Sequence, residues 1–230
     1  MHWTPSRSHV LLAGVELTRS SVGKKIIMAV TGALLVGFLL AHMAGNLKIF
    51  FGSAAFDSYA HWLREIGEPV LPFGGYLWVQ RVVLLAAIAG HLWAATALTV
   101  AARRARPVRY AHRPPVQGSY AARTMRWGGV IIALFVVYHV LDLTTRDLNP
   151  VAEDGSAYAA VAQDFAPGRW YVTAFYTLAV ITLGFHLRHG IWSALQTLGL
   201  KSSRPAALAV SLLVCAGFLA VPYAATFGVI

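Results

Sequence analysis

The sequence predicts an all-α integral membrane protein, built as a single bundle of five transmembrane helices. Of its 230 residues, 57% are hydrophobic and only 12% are charged, whereas soluble domains carry about 25% charged residues. The mean hydropathy is +0.60. A helix needs about 20 apolar residues to cross a bilayer, and five runs meet this need, at 26–50, 76–102, 127–145, 170–192 and 206–230. They leave no room for a separate soluble domain, so residues 1–230 are expected to form one membrane domain.

The first two runs have clear boundary signals. The first follows Lys24 and Lys25 and lacks a small-residue cleavage site, so we expect it to remain as a helix rather than to be removed as a signal peptide. The second begins after residues 69–75, which contain two prolines and two consecutive glycines at the end. Such residues interrupt helices, which separates the second run from the first.

The last three runs are bounded in the same way. The third begins after Pro114-Pro115 and ends before Asn149-Pro150. The fourth begins at Trp170, in the position of an interfacial anchor. The fifth contains the lone cysteine, Cys215, which cannot form an internal disulfide and is expected to be a packing residue.

The net charge of +10 is distributed unevenly between the connections. The segments 1–25, 103–126 and 187–204 hold 4, 7 and 3 Lys/Arg residues and one acid, Glu16. The other acids are assigned to the two remaining connections: Asp57, Glu65, Glu68, Asp142, Asp147, Glu153, Asp154 and Asp164. By the positive-inside rule, the N-terminus and the 103–126 and 193–205 connections face the cytoplasm, and the C-terminus faces out. A nucleic-acid partner is not expected, because the basic segments lack interleaved aromatic residues.

Four runs contain histidines, and their depths match in pairs. With a rise of about 1.5 Å per residue, His42 lies about 24 Å along the outward first run, and His139 lies about 18 Å along the outward third run. On the inward second and fourth runs, His91 and His186 lie about 22 Å and 24 Å from the outside. The sequence therefore predicts an outer pair, His42 with His139, and an inner pair, His91 with His186.

Two neutral imidazoles on facing helices supply the two axial ligands of a six-coordinate haem b. We therefore predict two stacked haem b groups inside the bundle, each held by one pair. Any one histidine could instead be a hydrogen-bonded packing residue, but four at matched depths favour the joint interpretation. His189 lies three residues from His186 on a similar helix face; we take the deeper His186 as the ligand and place His189 near the inner haem.

Several stretches of this chain resemble the single-chain, two-haem cytochrome b subunit of succinate dehydrogenase (complex II, succinate:quinone oxidoreductase). They are SSVGKKIIMAVTG and AHMAGNLKIFFG around the first run, AFDSYAHWL after it, GHLWAA in the second, YHVLDL in the third and FHLRHGIWSALQTLG in the fourth. Together they span most of residues 20–200. The resemblance implies that the four axial ligands are His42, His91, His139 and His186, with the first paired to the third and the second to the fourth.

The resemblance also implies a role. The chain would be a non-catalytic electron-transfer subunit in the bacterial cytoplasmic membrane, bound on its cytoplasmic side to a flavoprotein and an iron–sulfur subunit. Electrons would pass from the inner haem to the outer haem and then to a quinone, for which menaquinone is expected. A small accessory membrane subunit or a higher oligomer would also be compatible with the family.

A quinone needs an apolar slot with one or two hydrogen-bond donors. Near the outer haem the candidates are Tyr59, His61 and Arg81; near the inner face they are Ser21 and Lys25. Each of these residues could equally be a solvated loop residue or a topology charge.

Three other functions stay open at the sequence level. The chain could be the haem b subunit of another membrane oxidoreductase, such as a formate dehydrogenase or a hydrogenase. It could be a transporter or proton channel whose histidines relay protons; a relay would use acids inside the runs, and the sequence places none in their interiors. A haem-free anchor is the third alternative, and it would not require four matched histidines.

Overall fold

The structure is a computed structural model that describes residues 18–105, 120–152, 155–201 and 203–230. Three of the acids that enter the charge argument, Glu16, Glu153 and Asp154, lie outside the described residues. So does the Pro114-Pro115 break between the second and third runs.

The described residues form seven α-helices and no strand. The helices are α1 (Ser21–Asn46), α2 (Ser53–Glu65), α3 (Gly75–Arg104), α4 (Tyr120–His139), α5 (Ala157–Asp164), α6 (Trp170–Thr197) and α7 (Arg204–Thr226). A 3-10 turn over Leu47–Phe51 continues α1, a π-helical turn over Val140–Thr144 continues α4, and a 3-10 turn over Pro167–Arg169 precedes α6. Five helices, α1, α3, α4, α6 and α7, are long and apolar enough to cross a membrane. The predicted all-helical, multi-pass architecture is confirmed.

Two membrane helices extend beyond the apolar runs predicted from the sequence. Helix α4 begins at Tyr120, seven residues before the predicted run, and α6 continues to Thr197, five residues past it. Both extensions carry polar residues, which hydropathy alone assigns to connections. The two connections to which the acids were assigned contain α2 and α5. These helices are too short to span a membrane.

Local signals account for where the helices begin and end. The Ser20, Ser156 and Ser203 side chains accept hydrogen bonds from the backbone N–H groups three residues later, which caps α1, α5 and α7. At the other end of α6, Gly199 has a φ of +70°, and Leu200 N–H donates to the Leu195 carbonyl. A positive φ costs glycine little, so this residue terminates the helix.

Helices α1 and α6 form the centre of the bundle. Helix α3 packs on α1, α4 packs on α6, and α7 packs against both central helices. Met43, Leu187 and Val214 are buried where α1, α6 and α7 meet. Cys215 of α7 lies against Gly184 of α6, and its Sγ is 3.4 Å from the Val180 carbonyl oxygen. It is a free, partly buried cysteine in a helix contact, as predicted.

Among the described residues, the two ends of the bundle differ in their charged side chains: one end holds acids together with cations, and the other holds cations alone. We call the end with α2, α5 and the π-helical turn the acidic end, because every acid among the described residues lies there: Asp57, Glu65, Glu68, Asp142, Asp147 and Asp164. We call the opposite end the basic end; its described cations are Arg19, Lys24, Lys25, Arg103, Arg104, Arg126, Arg188, Lys201 and Arg204. At the acidic end, Asp57 of α2 accepts a hydrogen bond from Tyr158 N–H of α5 at 2.9 Å, which joins the two short helices.

The charge asymmetry predicts the orientation of the chain. Lys and Arg are retained on the cytoplasmic side, so the C-terminus should lie outside and Gly199 should lie in the cytoplasm. Alkaline phosphatase fused after Ile230 should therefore be active, and alkaline phosphatase inserted after Gly199 should be inactive. A fluorescent protein that folds only in the cytoplasm should give the reverse pattern at the same two positions. An active phosphatase at Gly199 would invert the topology, and with it the assignment of outer and inner histidines.

Candidate paired-histidine site

The first histidine pair lies at the acidic end. His42 is near the end of α1 and His139 is the last residue of α4. Their ring centroids are 5.9 Å apart, with ring planes at 82°. Phe38 and Phe218 also lie against the His42 ring, and Phe135 lies against the His139 ring. The pair is therefore enclosed by aromatic side chains.

The second pair lies nearer to the basic end. His91 of α3 and His186 of α6 have ring centroids 6.2 Å apart, with ring planes at 56°. Two glycines allow helices to approach these rings: a Cβ on Gly32 would lie 3.3 Å from His91 Cε1, and a Cβ on Gly129 would lie 3.7 Å from His186 Cε1. These are the pairs that depth along the helices predicts.

The two pairs occupy two separate levels. His91 lies beside Met28 and Thr31 of α1, about 12 residues or roughly 18 Å along that helix from His42. On α6, Tyr176 contacts His139, and His186 lies ten residues further on, roughly 15 Å away. Each pair also spans two helices, α1 with α4 and α3 with α6, that are not among the closely packed helix pairs of the described chain.

Hydrogen bonds define which ring nitrogen carries the proton in one member of each pair. His91 Nδ1 is 3.1 Å from the Met28 carbonyl oxygen, which can only accept, so Nδ1 carries the hydrogen. His139 Nδ1 is 3.4 Å from the Tyr176 hydroxyl, which donates its own hydrogen to Asp142 and so accepts from the ring. In both rings the Nε2 lone pair is left free to bind a metal.

Asp142 corrects one prediction. The sequence argument placed this acid in a connection and found no acid inside any run, but Asp142 is completely buried. The π-helical turn over Val140–Thr144 places an extra residue in the last turn of the third membrane helix, with Thr145 N–H bonded to the Val140 carbonyl. The Asp142 carboxyl thereby points inward and accepts a hydrogen bond from the Tyr176 hydroxyl at 2.6 Å. Such turns often occur at functional positions.

A second buried acid lies next to Asp142. Asp164, the last residue of α5, is also completely buried, and the Arg169 guanidinium donates to it at 2.6 Å. Burial and the neighbouring charge of Asp142 raise the pKa of Asp164 to about 6, against the opposing effect of Arg169. One oxygen of each carboxyl, Asp142 Oδ1 and Asp164 Oδ2, has no hydrogen-bond donor among the described residues.

His189 has a different environment from His186. Its ring lies 5.9 Å from the Trp192 ring on the same helix. It is close enough to His186 for the two rings to interact electrostatically. It is thus a neighbour of the His91/His186 pair.

The five quinone candidates do not converge on one point. The Tyr59 side chain packs on Gly45, with Lys48 Nζ 5.1 Å from the Tyr59 ring centroid, and burial raises the pKa of Tyr59. His61 is exposed and lies 3.3 Å from Glu65 on the same helix. Arg81 is exposed and lies over the Trp78 ring. Ser21 and Lys25 are exposed in the first turns of α1.

Sequence reasoning missed the residues that hold the histidines. Thr31, Tyr176 and Gly32 contact the paired rings. A threonine, a tyrosine or a glycine in an apolar run has an ordinary packing role by default, so no signal distinguishes these three. Asp142 did carry a signal, because it lies three residues from His139 in a membrane run, and an acid there is functional by default.

Comparison with protein-family models, with curated proteins and with solved structures finds no match to this chain.

The Asp164–Arg169 ion pair predicts a pH-dependent stability. In R169M, two buried carboxyls lose their cation, and we expect a loss of roughly 2 kcal/mol, below the value for a fully buried pair because Arg169 is partly exposed. Since the raised pKa of Asp164 is about 6, the deficit should be small at pH 5, where the carboxyl is protonated, and should grow as the pH rises above 6.

Thermal unfolding in detergent between pH 5 and 8 measures this deficit. R64M is the control, because Arg64 is an exposed arginine at the same end whose guanidinium donates to the Ala60 carbonyl of its own helix. A deficit in R169M that does not change with pH would contradict the account.

Proposed function

We propose that this chain is the membrane-anchor cytochrome b subunit of a succinate:quinone oxidoreductase in the bacterial cytoplasmic membrane. In this proposal two haem b groups are bound, one by His42 and His139 and the other by His91 and His186. The observation that carries the proposal is the presence of two histidine pairs at two levels, with centroid separations of 5.9 Å and 6.2 Å.

These separations fit a metal bound between the rings. Two axial bonds of about 2 Å, together with the radii of two imidazole rings of about 1 Å each, add to about 6 Å. A bare zinc ion would need three or four protein ligands, and within the described chain no third His, Cys, Asp or Glu joins either pair. A haem needs only two ligands from the protein, because its porphyrin supplies the other four.

The chain's own residues would hold and insulate the redox groups. Haem supplies reversible one-electron chemistry at iron. The Met28 carbonyl and the Tyr176 hydroxyl orient the His91 and His139 rings, which fixes Nε2 toward the metal position. Phe38, Phe135 and Phe218 would exclude water at the His42/His139 pair. No group in this arrangement performs carbon chemistry, so succinate oxidation is assigned to a partner.

The two ends of the bundle suit the two partners of an electron carrier. The basic end, nearer to His91 and His186, would dock the iron–sulfur and flavoprotein subunits. The acidic end, nearer to His42 and His139, would deliver electrons to a quinone, with menaquinone as the expected acceptor. Among the candidates, Tyr59 has the strongest support, because it is partly buried against α1 and next to Lys48. A small accessory membrane subunit remains compatible with this arrangement.

Two other functions share some of these features. A haem b subunit of a formate dehydrogenase or hydrogenase would use the same histidine pairs with different partners. A proton relay is favoured by one observation, the buried Asp142 within hydrogen-bonding distance of Tyr176, because intramembrane acids serve relays. A relay would not need bound haem, so a spectrum distinguishes it from both cytochromes.

The pairs predict how four variants behave. A dithionite-reduced minus oxidised spectrum of the purified protein should show the sharp α and β bands of low-spin haem b. H42A and H139A should give the same spectrum at half intensity, since each opens one axial position of the same iron. H91A and H186A should give a second, different spectrum at half intensity.

The matched control for these variants is H189A, which should keep both haems. A wild-type spectrum without haem bands would refute the proposal and favour the relay. If H189A lost a haem while H186A kept both, the ligand on α6 would be wrong. If H42A matched H91A rather than H139A, the pairing would be wrong.

The partners separate the two cytochrome functions. Purification in mild detergent should recover a flavoprotein and an iron–sulfur protein in equal amounts with this chain. Charge reversal at the basic end, in the variant R103E/R104E, should release them while both haems stay bound. The control is R64E at the acidic end, which should retain the partners. A molybdenum- or nickel-containing partner in their place would move the function to a formate dehydrogenase or hydrogenase.

A further inference from the structure

Two carboxyls and one cation are buried together at the acidic end. Asp142 comes from the π-helical turn after α4, Asp164 comes from the end of α5, and both are fully buried. Tyr176 links the two acids: its hydroxyl donates to Asp142, and its ring lies 4.8 Å from the ring of Phe165, the residue after Asp164. The charge of Asp142 acts on the Asp164 carboxyl. Since one arginine faces both acids, the cluster carries an excess negative charge whenever both carboxyls are ionised.

The hydrogen-bond pattern identifies where a proton would bind. Asp142 uses Oδ2 to accept from Tyr176, and Asp164 uses Oδ1 to accept from Arg169. The other two oxygens, Asp142 Oδ1 and Asp164 Oδ2, are buried and without a donor among the described residues. Two carboxylates buried in one cluster repel each other, and a single proton bound by the pair removes this repulsion and lets a buried oxygen take part in a hydrogen bond.

The surroundings supply few other charges to this pair. Helix α4 contributes Tyr138 and His139, α6 contributes Tyr176, and the turn before α6 contributes Arg169. Tyr171 of α6 contacts Arg169. Helix α7 contributes Ala225 and Thr226, neither of which titrates. Arg169 is partly exposed, so it lies between the carboxyls and the solution at the acidic end.

Tyr176 connects this pair to the histidines. Its hydroxyl donates to Asp142 at 2.6 Å and lies 3.4 Å from His139 Nδ1. A change of charge at the metal position therefore alters the field at the carboxyls through one intervening side chain. In the same way, a proton on the carboxyls weakens the pull of Asp142 on the tyrosine and of the tyrosine on the His139 ring.

We propose that Asp142 and Asp164 form a proton-binding site that holds one proton between their carboxyls, and that it binds this proton more tightly when an electron reaches the His42/His139 position. The first half is independent of the proposed function, and the second half rests on it. The step would balance: with haem held by His42 and His139, the Asp142/Asp164 pair would take up one proton from the solution at the acidic end for each electron gained there, and no covalent bond between heavy atoms would change.

The shared proton can be observed without any redox chemistry. A protonated carboxyl has an infrared C=O band that shifts in D₂O and disappears on ionisation. The protein in detergent should show such a band at pH 5, and the band should decrease as the pH rises through about 6, the pKa of Asp164. The band should be absent in D142N and in D164N and unchanged in D147N, since Asp147 is an exposed acid at the same end.

The absence of a titrating band in the wild-type protein would overturn the proposal even if the variants failed to fold. Full retention of the infrared band in both D142N and D164N would also overturn the proposal.

Coupling to the electron is tested by potentiometry. The midpoint potential of the His42/His139 haem should fall as the pH rises, by up to about 59 mV per pH unit for one proton per electron. This slope should be lost in D142N and D164N and retained in D147N. Y176F should keep the infrared band and reduce the slope, because it removes the connection but not the pair. The His91/His186 haem should be much less affected by these variants.

A slope that D142N and D164N leave unchanged would overturn the coupling. A protein without haem bands would instead refute the proposed function, and the infrared result would still decide whether the shared proton exists.

Discussion

An imidazole inside an apolar membrane helix must find a partner, because an unsatisfied polar group in hydrocarbon costs several kcal/mol. In this chain two of the four rings bond through Nδ1 to a fixed acceptor, the Met28 carbonyl or the Tyr176 hydroxyl. The opposite nitrogens are left for each other or for whatever lies between the rings. The glycines at the rings and the pairing of α1 with α4 and α3 with α6 follow from this requirement.

The pairing could be predicted from the sequence, because it depends on two regular quantities. The alternation of Lys and Arg gives the direction of each helix, and the helical rise gives the depth of each histidine. Asp142 could not be placed in the same way. Its burial depends on one extra residue in the π-helical turn after His139, and neither hydropathy nor regular helical periodicity indicates that turn. Asp164 was equally hidden, since α5 has only eight residues and is too short for a hydropathy signal.

Hydrogen bonds and an ion pair join the elements at the acidic end. The short helices α2 and α5 are joined through Asp57 and Tyr158, and they close this end of the bundle above His42 and His139. Asp164, the last residue of α5, is buried and pairs with Arg169. Asp142 is connected to His139 through the Tyr176 hydroxyl. Opposite this dense network, the basic end presents an array of cations. The positive-inside rule accounts for this asymmetry, and in the proposed function the two ends would contact different partners.

The central claim is that each histidine pair binds one haem iron. Its most direct test is to quantify haem b per polypeptide by the pyridine haemochrome method, and to record the electron paramagnetic resonance spectrum of the same oxidised sample. The account predicts two haems b per chain and two low-spin signals without a high-spin component. A ratio of zero would leave the pairs as packing or relay residues, and a ratio of one, or a stoichiometric high-spin signal, would contradict the assignment of one of the two pairs.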